Sequence, residues 1–322
     1  MTALARLVEE GLVTTDVALA GLTTYKFGGA AKWFASTSSA EEVAAAVEAA
    51  VADDVQYLIV GRGSNLVISD SGFDGLVVKL ADFNDVVLHE DGTVAAGAAT
   101  TLPKLARTAA KAGRGGLEFL VAVPGSVGGA VRMNAGCHGS ETGEWLVDLE
   151  VYRHGQGVVV LDRADLVMTY RYSSLPAGDI VLSARFRTEP RDPLDSEEIM
   201  REITAWRKEN QPGGTFNAGS VFKNPDGTSA GWLIDSVGLK GFAVGGARVS
   251  PKHANFFEAT AEASAQDVFD LVGAVRHRVH QATGVTLEPE IQFAGMFRPA
   301  DPERHGDKAD TTDNEAREVG KA

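Results

Sequence analysis

The sequence predicts an α/β fold that is divided into more than one domain. The chain opens with a strand, a helix and two further strands, an order that is typical of α/β proteins. Its 322 residues exceed the usual size of a single hydrophobic core. The run Pro212-Gly213-Gly214 is the clearest linker in the chain, and we expect a domain boundary there.

The first three strands are predicted over residues 32–37, 56–60 and 75–80, which are short apolar runs. The helix after the first strand is predicted to begin at Ser39, because Glu42 three residues later completes a capping box. The hydrophobic residues of this helix are expected to share one face: Val43, Val47 and Val51.

A second helix is predicted to begin at Thr101 and to end at Gly113, before a glycine-rich segment that reaches Gly139. Several strand-like runs occupy residues 146–186. Asp195 is the expected N-cap of the next helix. That helix carries Glu198 at its third position and the hydrophobic residues Ile199, Ile203 and Trp206.

Beyond the linker, residues 213–284 are predicted to form a smaller α/β unit. Its last helix is predicted to open at Ser264 and to direct five residues inward: Val268, Leu271, Val272, Val275 and Val279. A final strand is predicted over 285–293, where apolar and polar residues alternate. Residues 299–322 carry 7 acidic and 4 basic side chains and one large aliphatic residue, which predicts a disordered tail.

Composition excludes several classes of protein. A formal net charge of -14 argues against generic binding to nucleic acid or anionic membranes. Cys137 is the only cysteine, so neither an intramolecular disulfide nor a multi-cysteine zinc site is possible. The first residues lack the features of a signal peptide, and no run has the ~20 apolar residues that span a bilayer. A cytoplasmic location is the resulting expectation.

Two glycine-rich segments are candidates for anion binding. The run GRGSN (Gly61–Asn65) follows a predicted strand, and it is either an ordinary turn or a nest of N–H groups around an anion. It lacks the Gly-Lys-Ser/Thr of a Walker A loop and the third glycine of a dinucleotide fingerprint. The run PGSVGGA (Pro124–Ala130) is predicted to be a second small-residue loop. Two such cradles favour a diphosphate ligand over a purely structural role.

The run FNAGSVFKNP (Phe216–Pro225) contains Ser220, for which three roles stay open: nucleophile, phosphate ligand or turn residue. No histidine is adjacent, and the run is not the G-x-S-x-G elbow of hydrolases. Arg171, which lies between two tyrosines, is either stacked on their rings at the surface or a fixed cation for a carboxylate or phosphate. Glu290 lies on the polar face of the final predicted strand.

Other residues are weaker candidates for a chemical role. His277 and His280 share a helix face, but no third ligand is evident, so no metal site is expected. Cys137 beside His138 could form a reactive thiolate pair, and a packed, unreactive cysteine is the favoured interpretation.

Taken in order, these segments resemble the UDP-N-acetylenolpyruvoylglucosamine reductase family, also called UDP-N-acetylmuramate dehydrogenase. The resemblance covers about residues 20–297, and NAGSVFKNP is its most specific match. The matching segments are TTYKFGG from Thr23, GRGSNL from Gly61, PGSVGGAVRMNAG from Pro124, Tyr170-Arg171, NAGSVFKNP from Asn217 and Glu288-Pro289-Glu290.

The resemblance implies an α+β fold, with a two-part FAD-binding domain of the vanillyl-alcohol-oxidase type and a smaller α/β substrate-binding domain. We therefore expect FAD-binding subdomains over 1–78 and 79–212, a substrate-binding domain over 213–284, and a return to the first subdomain over 285–298. The substrate domain looks too short to contain the extra tyrosine-bearing loop of one subtype, so the shorter subtype is expected.

The implied activity is the reduction of the enolpyruvyl group of UDP-N-acetylglucosamine enolpyruvate to D-lactyl, with NADPH as reductant and FAD as cofactor. The product is UDP-N-acetylmuramate, a precursor of peptidoglycan, and the enzyme is expected to be a cytoplasmic monomer. By match to the family, Arg171 would stabilise the developing enolate, Glu290 would assist it, and Ser220 would donate a proton to carbon.

Further site residues are carried over from the family in the same way. The residues implied to bind the cofactor are Gly61, Arg62, Gly63, Ser64, Asn65, Leu66, Pro124, Gly125, Ser126, Gly128, Gly129, Ala130 and Asn134. Those implied to bind the substrate, besides the three catalytic residues, are Tyr170, Lys208, Lys223, Asn224, Lys252 and His253.

The chain departs from the family pattern at Cys137-His138, where many members have Ala-Tyr, and at Thr23-Thr24-Tyr25, where Asn-Thr-Phe is common. Two other functions remain as alternatives. An FAD-linked oxidase or dehydrogenase of the same fold would keep the glycine segments but not the whole set of Ser220, Arg171 and Glu290. A non-enzymatic protein that binds nucleotide sugars would lack flavin or these three residues.

Overall fold

The computed structural model describes residues 1–300, which divide into two compact units. Unit 1 comprises residues 1–211 and 292–296, and unit 2 comprises residues 212–291 together with the described residues from 297 onward. Most of the predicted tail, residues 301–322, lies outside the described residues. The further division of the N-terminal part at 78/79 stays a prediction.

Unit 1 contains six α-helices in its described residues. These are α1 (Ala3–Glu9), α2 (Ala40–Ala52), α3 (Leu102–Lys111), α4 (Val127–Met133), α5 (Thr142–Trp145) and α6 (Pro193–Asn210). Its strands up to the second glycine-rich segment are β1 (Val13–Ala18), β2 (Ala30–Thr37), β3 (Tyr57–Val60), β4 (Leu66–Ile68), β5 (Phe73–Leu80), β6 (Val86–Leu88), β7 (Val94–Gly97) and β8 (Arg114–Gly115).

The later strands of unit 1 are β9 (Gly136–Cys137), β10 (Ser140–Glu141), β11 (Leu146–Arg153), β12 (Gly157–Asp162), β13 (Met168–Thr169), β14 (Tyr172–Ser173), β15 (Ile180–Phe186) and β16 (Glu189–Pro190). Unit 2 contains α7 (Ala230–Ser236), β17 (Ala243–Val244), β18 (Ala247–Val249), β19 (Phe257–Ala259) and α8 (Ala265–Thr283). The strand β20 (Gln292–Ala294) belongs to unit 1.

Two sheets organise unit 1. The first has the strand order β1-β2-β5-β3, in which β5 runs parallel to β2 and β3, as the predicted strand–helix–strand order requires. The second has the order β12-β11-β15-β7-β6 and is antiparallel throughout. In unit 2, β17, β18 and β19 form an antiparallel sheet. Mixed and antiparallel sheets with helices agree with the predicted α+β class.

Hydrophobic burial holds each unit together. In unit 1 the inward faces of α2 and α3 are wholly buried at Val43, Val47 and Leu105. In unit 2 the five residues predicted to point inward from α8 are all buried, and Ser264 caps that helix with a reciprocal bond from Asp267. Full burial of one such aliphatic side chain contributes about 1.5–3 kcal/mol.

The structure corrects several predictions about helices. Ser39 caps α2, but Glu42 accepts from the N–H of Ser38, so the predicted capping box is not closed. Val51 is 41% exposed rather than buried with Val43 and Val47, because it lies in the last turn of α2. The helix α6 begins earlier than predicted, at Pro193.

Asp192, not Asp195, is the N-cap of α6. Its carboxylate accepts from the N–H of Leu194 at 2.9 Å, and Pro193 follows at the first helical position. Proline is favoured there because its missing N–H would have no partner within the helix and its φ angle already suits the helix. Asp195 lies in the first turn, and Trp206 is 47% exposed.

The predicted strand over 285–293 is wrong for most of its length, since β20 begins only at Gln292. The alternation is nevertheless reflected in burial, with Leu287 and Ile291 buried. Pro289 has no N–H to donate, and the segment makes an isolated bridge between Phe222 and Pro289 in place of a regular ladder. The predicted loop PGSVGGA is also largely helical, because α4 begins at Val127.

No helix in residues 1–300 is long and apolar enough to cross a membrane.

Candidate active site

A cavity of about 1070 Å³ lies within unit 1. Its size is slightly above the usual range of roughly 300–1,000 Å³ for small-molecule sites. The lining comes from residues far apart in the chain: parts of 21–26, 57–62, 79–84, 98–104, 126–132 and 175–181, and Gln292. A site assembled from so many segments suits one large ligand.

The cavity concentrates positive charge in a chain whose net charge is -14. Its basic lining residues are Lys26, Arg62, Lys79, Lys104 and Arg132. Its single acidic lining residue, Asp179, is paired with Arg153, whose Nε lies 2.9 Å from a carboxylate oxygen. An anionic ligand would therefore find favourable charge here although the whole protein is acidic.

One of these basic groups holds the cavity wall. Arg132 donates two hydrogen bonds of 2.8 Å to the carbonyl oxygens of Leu175 and Pro176 and another to the carbonyl of Asp179. Burial lowers the pKa of the Arg132 guanidinium, but not enough to make an arginine neutral. The segment that it fixes, including Leu175 and Ala177, lines the cavity.

The two glycine-rich segments meet at this cavity. Ser64 of GRGSN donates to the carbonyl of Pro124 at 2.6 Å, and a Cβ on Gly61 would lie 2.5 Å from the Oγ of Ser126. Gly63 has a φ of +60°, and a Cβ there would lie 2.0 Å from the carbonyl oxygen of Leu22. Glycine is thus required at two close approaches, that of Gly61 to Ser126 and that of Gly63 to Leu22.

Five of the predicted cofactor residues line the cavity: Gly61, Arg62, Ser126, Gly128 and Gly129. The other eight are absent from the lining: Gly63, Ser64, Asn65, Leu66, Pro124, Gly125, Ala130 and Asn134. Their cofactor roles stay predictions. The first N–H groups of α4 have partners already, since Val127 donates to the carbonyl of Thr100 and Gly128 donates to that of Ala98.

Sequence reasoning missed other lining residues. Thr101 caps α3 and Lys104 lies in the first turn of that helix, and neither belongs to a segment that matches the family. Thr24 and Lys26 do belong to a matching segment, TTYKFGG, and that match is the signal that could have found them. Thr101 and Lys104 join the cavity through tertiary structure.

Arg171 lies at the tip of the short hairpin formed by β13 and β14. Its guanidinium donates to the carbonyl of Gly136 at 3.0 Å, and its Cζ lies 4.9 Å from the centre of the Tyr170 ring. Its backbone is left-handed, with a φ of +54°. The half-buried arginine is therefore stacked on a ring, as the first interpretation from sequence expected, and its role toward a carboxylate or phosphate stays a prediction.

Ser220 lies on a segment of unit 2 whose backbone is held on two sides. Asn217 accepts from the N–H of Gly219 at 3.0 Å, which forms a turn directly before the serine. On one side, the buried Asn255 accepts from the N–H of Phe222 at 2.9 Å and donates to the carbonyl of the same residue at 2.8 Å. Ser220 itself is half-buried and makes a bridge with Phe256.

A second chain segment, which contains Glu290, is hydrogen-bonded to the Ser220 segment. The N–H of Glu290 donates to the carbonyl of Val221 at 2.7 Å, while Lys223 donates its N–H to the carbonyl of Glu288 at 2.9 Å. The Nζ of Lys223 also lies 2.7 Å from a carboxylate oxygen of Glu288. Two predicted catalytic residues of unit 2 therefore lie on chain segments that are joined by backbone hydrogen bonds.

The remaining predicted substrate residues are placed as follows. Asn224 is exposed and accepts from the N–H of Ala230 at the start of α7. Lys252 is exposed, and His253 beside it is half-buried, with its ring edge-on to Phe256. Burial, with a smaller effect of Lys240, lowers the pKa of His253, so its neutral form is favoured. Lys208 is an exposed residue of α6 in unit 1.

Residues 1–300 contain no group of three or more histidine, cysteine or acidic side chains arranged to hold a metal. Cys137 donates from its Sγ to the carbonyl of Phe119 at 3.3 Å, and burial raises the pKa of its thiol to about 11. A thiol with that pKa is unreactive near neutral pH, in agreement with the interpretation of a packed cysteine.

In a comparison with known proteins, two family models match different parts of the chain. Residues 31–161 match the family described as FAD binding domain. Residues 211–294 match the family described as UDP-N-acetylenolpyruvoylglucosamine reductase, C-terminal domain.

Similar proteins extend over almost the whole chain. The UDP-N-acetylenolpyruvoylglucosamine reductase of Erythrobacter litoralis is 42% identical over 286 residues, which cover 88% of each chain. That of Synechococcus sp. strain WH7803 is 40% identical over 302 residues, covering 92% of this chain and 97% of the relative. The crystal structure of UDP-N-acetylenolpyruvylglucosamine reductase from Thermus caldophilus matches with a TM-score of 0.76 at 36% identity, covering 88% of this chain and 98% of that one. The α+β fold class that the resemblance implies is confirmed.

Proposed function

Because this chain belongs to the UDP-N-acetylenolpyruvoylglucosamine reductase family, we propose that it reduces UDP-N-acetylglucosamine enolpyruvate to UDP-N-acetylmuramate, with FAD as cofactor and NADPH as reductant. It is an oxidoreductase of peptidoglycan precursor synthesis. The cytoplasmic location predicted from the sequence is part of this proposal, since NADPH and UDP-sugars are available there. The predicted monomeric state stays a prediction.

The basic cavity of unit 1 is the observation that supports the proposal most strongly. It lies largely within the segment that matches an FAD-binding family, and both glycine-rich segments border it. Its lining by Arg62, Lys104 and small residues suits the two negative charges of a dinucleotide diphosphate. FAD held there would, once reduced by NADPH, supply a hydride to the terminal carbon of the substrate alkene.

Arg171 is the proposed stabiliser of negative charge on the substrate. Addition of hydride to an alkene conjugated with a carboxylate moves charge onto that carboxylate, which becomes enolate-like. A fixed guanidinium there stabilises the charge as it develops, and one such donor contributes about 3–4 kcal/mol of barrier lowering. The bond from Arg171 to Gly136 and its stacking on Tyr170 hold the cation in place before reaction.

Ser220 is the proposed donor of the proton that the enolate carbon then accepts. An enolate carbon is basic enough to take a proton from a neutral hydroxyl, so no histidine is needed beside the serine. The turn at Asn217 and the paired bonds to Asn255 keep the serine backbone fixed. Glu290, linked to the same segment through Val221, is proposed to position or share protonation of the intermediate.

The UDP-sugar is proposed to bind through Tyr170, Lys208, Lys223, Asn224, Lys252 and His253. All six side chains are exposed or half-buried, and three of them are lysines that can pair with an anionic ligand. His253 is half-buried, and its lowered pKa favours the neutral ring, so it would bind by hydrogen bonding rather than by charge.

A direct test is to purify the protein with added FAD, record its flavin absorbance and assay NADPH consumption. We expect flavin bound in about equal amount to protein and NADPH oxidation that depends on UDP-N-acetylglucosamine enolpyruvate. A protein that cannot take up FAD would contradict the proposal. A protein that takes up FAD and ignores this substrate would favour an oxidase or dehydrogenase of the same fold.

A further inference from the structure

Three hydrogen bonds join the hairpin that carries Arg171 to the C-terminal end of α4 and the residues that follow it. We call residues 132–136 the clamp segment and residues 168–173 the arginine hairpin. Ser173 donates from its Oγ to the carbonyl of Arg132 at 3.0 Å, and Arg171 donates to the carbonyl of Gly136 at 3.0 Å. Between them, Asn134 donates from its Nδ2 to the carbonyl of Thr169 at 2.9 Å.

Asn134 uses both ends of its amide within protein. Its Oδ1 accepts from the N–H of Gly143 at 2.8 Å, and its side chain is completely buried. A Cβ on Gly143 would lie 3.0 Å from that Oδ1 and 3.1 Å from the Sδ of Met168, so the amide is closely enclosed. An enclosed amide with both ends bonded to protein holds structure in place, whereas a cofactor ligand would direct one end to the cavity.

The backbone of Arg171 needs such a support. Its φ of +54° is uncommon for a residue with a side chain, and conformations of this kind persist where surrounding contacts hold them. Two of the three clamp contacts fall on either flank of the arginine, at Thr169 and Ser173. The hairpin has only two residues per strand, so its own ladder gives little rigidity.

The clamp segment is continuous with the wall of the cavity. Gly128, Gly129 and Arg132 of α4 line the cavity, and Asn134 is the C-terminal cap of the same helix, with a left-handed φ of +42°. The arginine hairpin is therefore fixed directly to an element of the cavity wall. The three hydrogen bonds therefore fix the position of the Arg171 guanidinium relative to that wall.

We propose that Asn134 is a positioning residue for Arg171, which acts through its bond to the Thr169 carbonyl, rather than a residue that contacts the cofactor. The inference rests on the proposed function, because it assigns Arg171 to the oxidative half-reaction with the enolpyruvyl substrate. It replaces the cofactor role that the resemblance implied for Asn134.

The test uses Asn134→Asp in the FAD-loaded protein. Aspartate has the same size, tolerates a left-handed backbone and keeps an acceptor for Gly143, but it cannot donate to the Thr169 carbonyl. Because Asn134 does not line the cavity, we expect the Kd for FAD and the rate of flavin reduction by NADPH to change less than about 2-fold, the scatter usual for sites that share no contacts. Reoxidation of the reduced flavin by saturating substrate should slow by about 10- to 100-fold, the usual cost of a misplaced catalytic group.

The decisive measurement is the same substitution in an Arg171→Ala background. If Asn134 acts through Arg171, the double variant should reoxidise as slowly as Arg171→Ala alone, since the interaction is already lost. Losses that multiply would show that Asn134 acts independently of Arg171 and would overturn the proposal. A weakened Kd for FAD with unchanged reoxidation would restore the cofactor role instead.

Matched variants keep the test valid if Asn134→Asp folds poorly. Thr142→Val removes a hydrogen bond of 2.7 Å to Ala135 in the same segment without touching the hairpin, and it should leave reoxidation unchanged. Ser173→Ala removes the other flanking bond and should slow reoxidation in the same direction. Equal effects of the two variants would contradict positioning through the hairpin.

Hydrogen exchange separates this inference from the proposed function. Amides of residues 168–173 should exchange faster in Asn134→Asp than in Thr142→Val, whether or not the wild-type protein turns over the enolpyruvyl substrate. If the wild type fails to turn over but the hairpin loosens, the proposed function is wrong and the clamp remains. If hairpin exchange is unchanged, the clamp is wrong.

Discussion

The cavity of unit 1 and the Ser220 segment of unit 2 differ in how many side chains contribute to each. The cavity is lined by at least six stretches of chain and five basic side chains, so no single group dominates it. The Ser220 segment presents one hydroxyl on a backbone that Asn255 and Glu290 hold from two sides. In the proposed reaction, binding is distributed over the first region, and proton transfer is concentrated in the second.

This difference predicts where substitutions will have large effects. Affinity for a large anionic cofactor is a sum over many contacts, and each exposed charge contributes only a small part. The proposed proton transfer to carbon uses one donor, Ser220, at one position. Loss of a single catalytic group should therefore cost more than loss of a single cavity charge.

The largest effect is expected for Ser220→Ala. Without the hydroxyl, reoxidation of the flavin by substrate should slow by about 10²- to 10⁴-fold, the usual contribution of a general acid. Reduction of the flavin by NADPH should be unchanged, because no proton is delivered to carbon in that step. Stopped-flow absorbance of the flavin measures both half-reactions separately.

Ser236→Ala in the same unit is the control for this prediction. Ser236 is a helix residue whose Oγ donates to the carbonyl of Leu233, and no catalytic role is proposed for it. It should leave both half-reactions at wild-type rates. Ser220→Ala protein that reoxidises as fast as this control would remove the proton-donor role from Ser220.

Arg171→Ala should have the next largest effect, about 10²- to 10³-fold on reoxidation by substrate. Arg171 lies in unit 1 with the cavity. A large effect would therefore show that the cost of a substitution depends on the catalytic role of the residue and not on the unit that contains it. The Kd for FAD and the reduction by NADPH should be preserved. Both half-reactions falling together would show that Arg171 supports folding instead.

Arg187→Ala provides the matched arginine control. Arg187 also stacks on an aromatic ring, with its Cζ 5.0 Å from the Trp145 ring, and no role in the reaction is proposed for it. Arg171→Lys adds a further comparison, since lysine keeps the charge but loses the planar fork that bonds Gly136. We expect its rate to lie between those of the wild type and the alanine variant.

The sequence also predicts these two regions to different extents. Ser220 and Glu290 lie in short motifs with specific neighbours, so the resemblance identified them without any three-dimensional information. Lys104 and Thr101 of the cavity have no such signal, because their role depends on packing of α3 against segments distant in sequence. A distributed site is assembled by tertiary structure, and local patterns do not contain it.

The errors of prediction have equally local causes. The alternation over 285–293 correctly indicated that Leu287 and Ile291 are buried, yet it overstated the strand because Pro289 cannot join a hydrogen-bonded ladder. Small residues over 124–130 suggested a loop, but Val127 and the residues after it form α4. Glycine in a helix costs about 1 kcal/mol relative to alanine, and here close packing of Gly128 against Ala98 offsets that preference.

Gly63→Ala should destabilise the cavity as a whole. The added Cβ would lie 2.0 Å from the carbonyl oxygen of Leu22, and the backbone φ is already +60°. We expect a loss of about 2–3 kcal/mol in the free energy of unfolding, from the clash and the unfavourable φ together. Urea denaturation without FAD measures it, and FAD affinity should fall with it.

Gly155→Ala isolates the contribution of the clash. Gly155 has a similar φ of +73°, but a Cβ there meets no atom within 4 Å. Its cost should therefore be only the conformational one, about 1 kcal/mol. Equal losses for both variants would mean that the approach of Gly63 to Leu22 is unimportant.

The smallest effect is expected for Lys104→Met, which removes one cavity charge but keeps an unbranched, apolar stem. One partly exposed charge among five should change the Kd for FAD by only about 3- to 5-fold, since such pairs contribute up to ~1 kcal/mol. Lys111→Met, at the exposed end of the same helix and outside the cavity lining, should change it less. Fluorescence titration of FAD at two salt concentrations measures both, and the difference should shrink at high salt. If Lys104→Met abolished FAD binding, cofactor affinity would be concentrated in one residue, and the contrast between the two regions would fail.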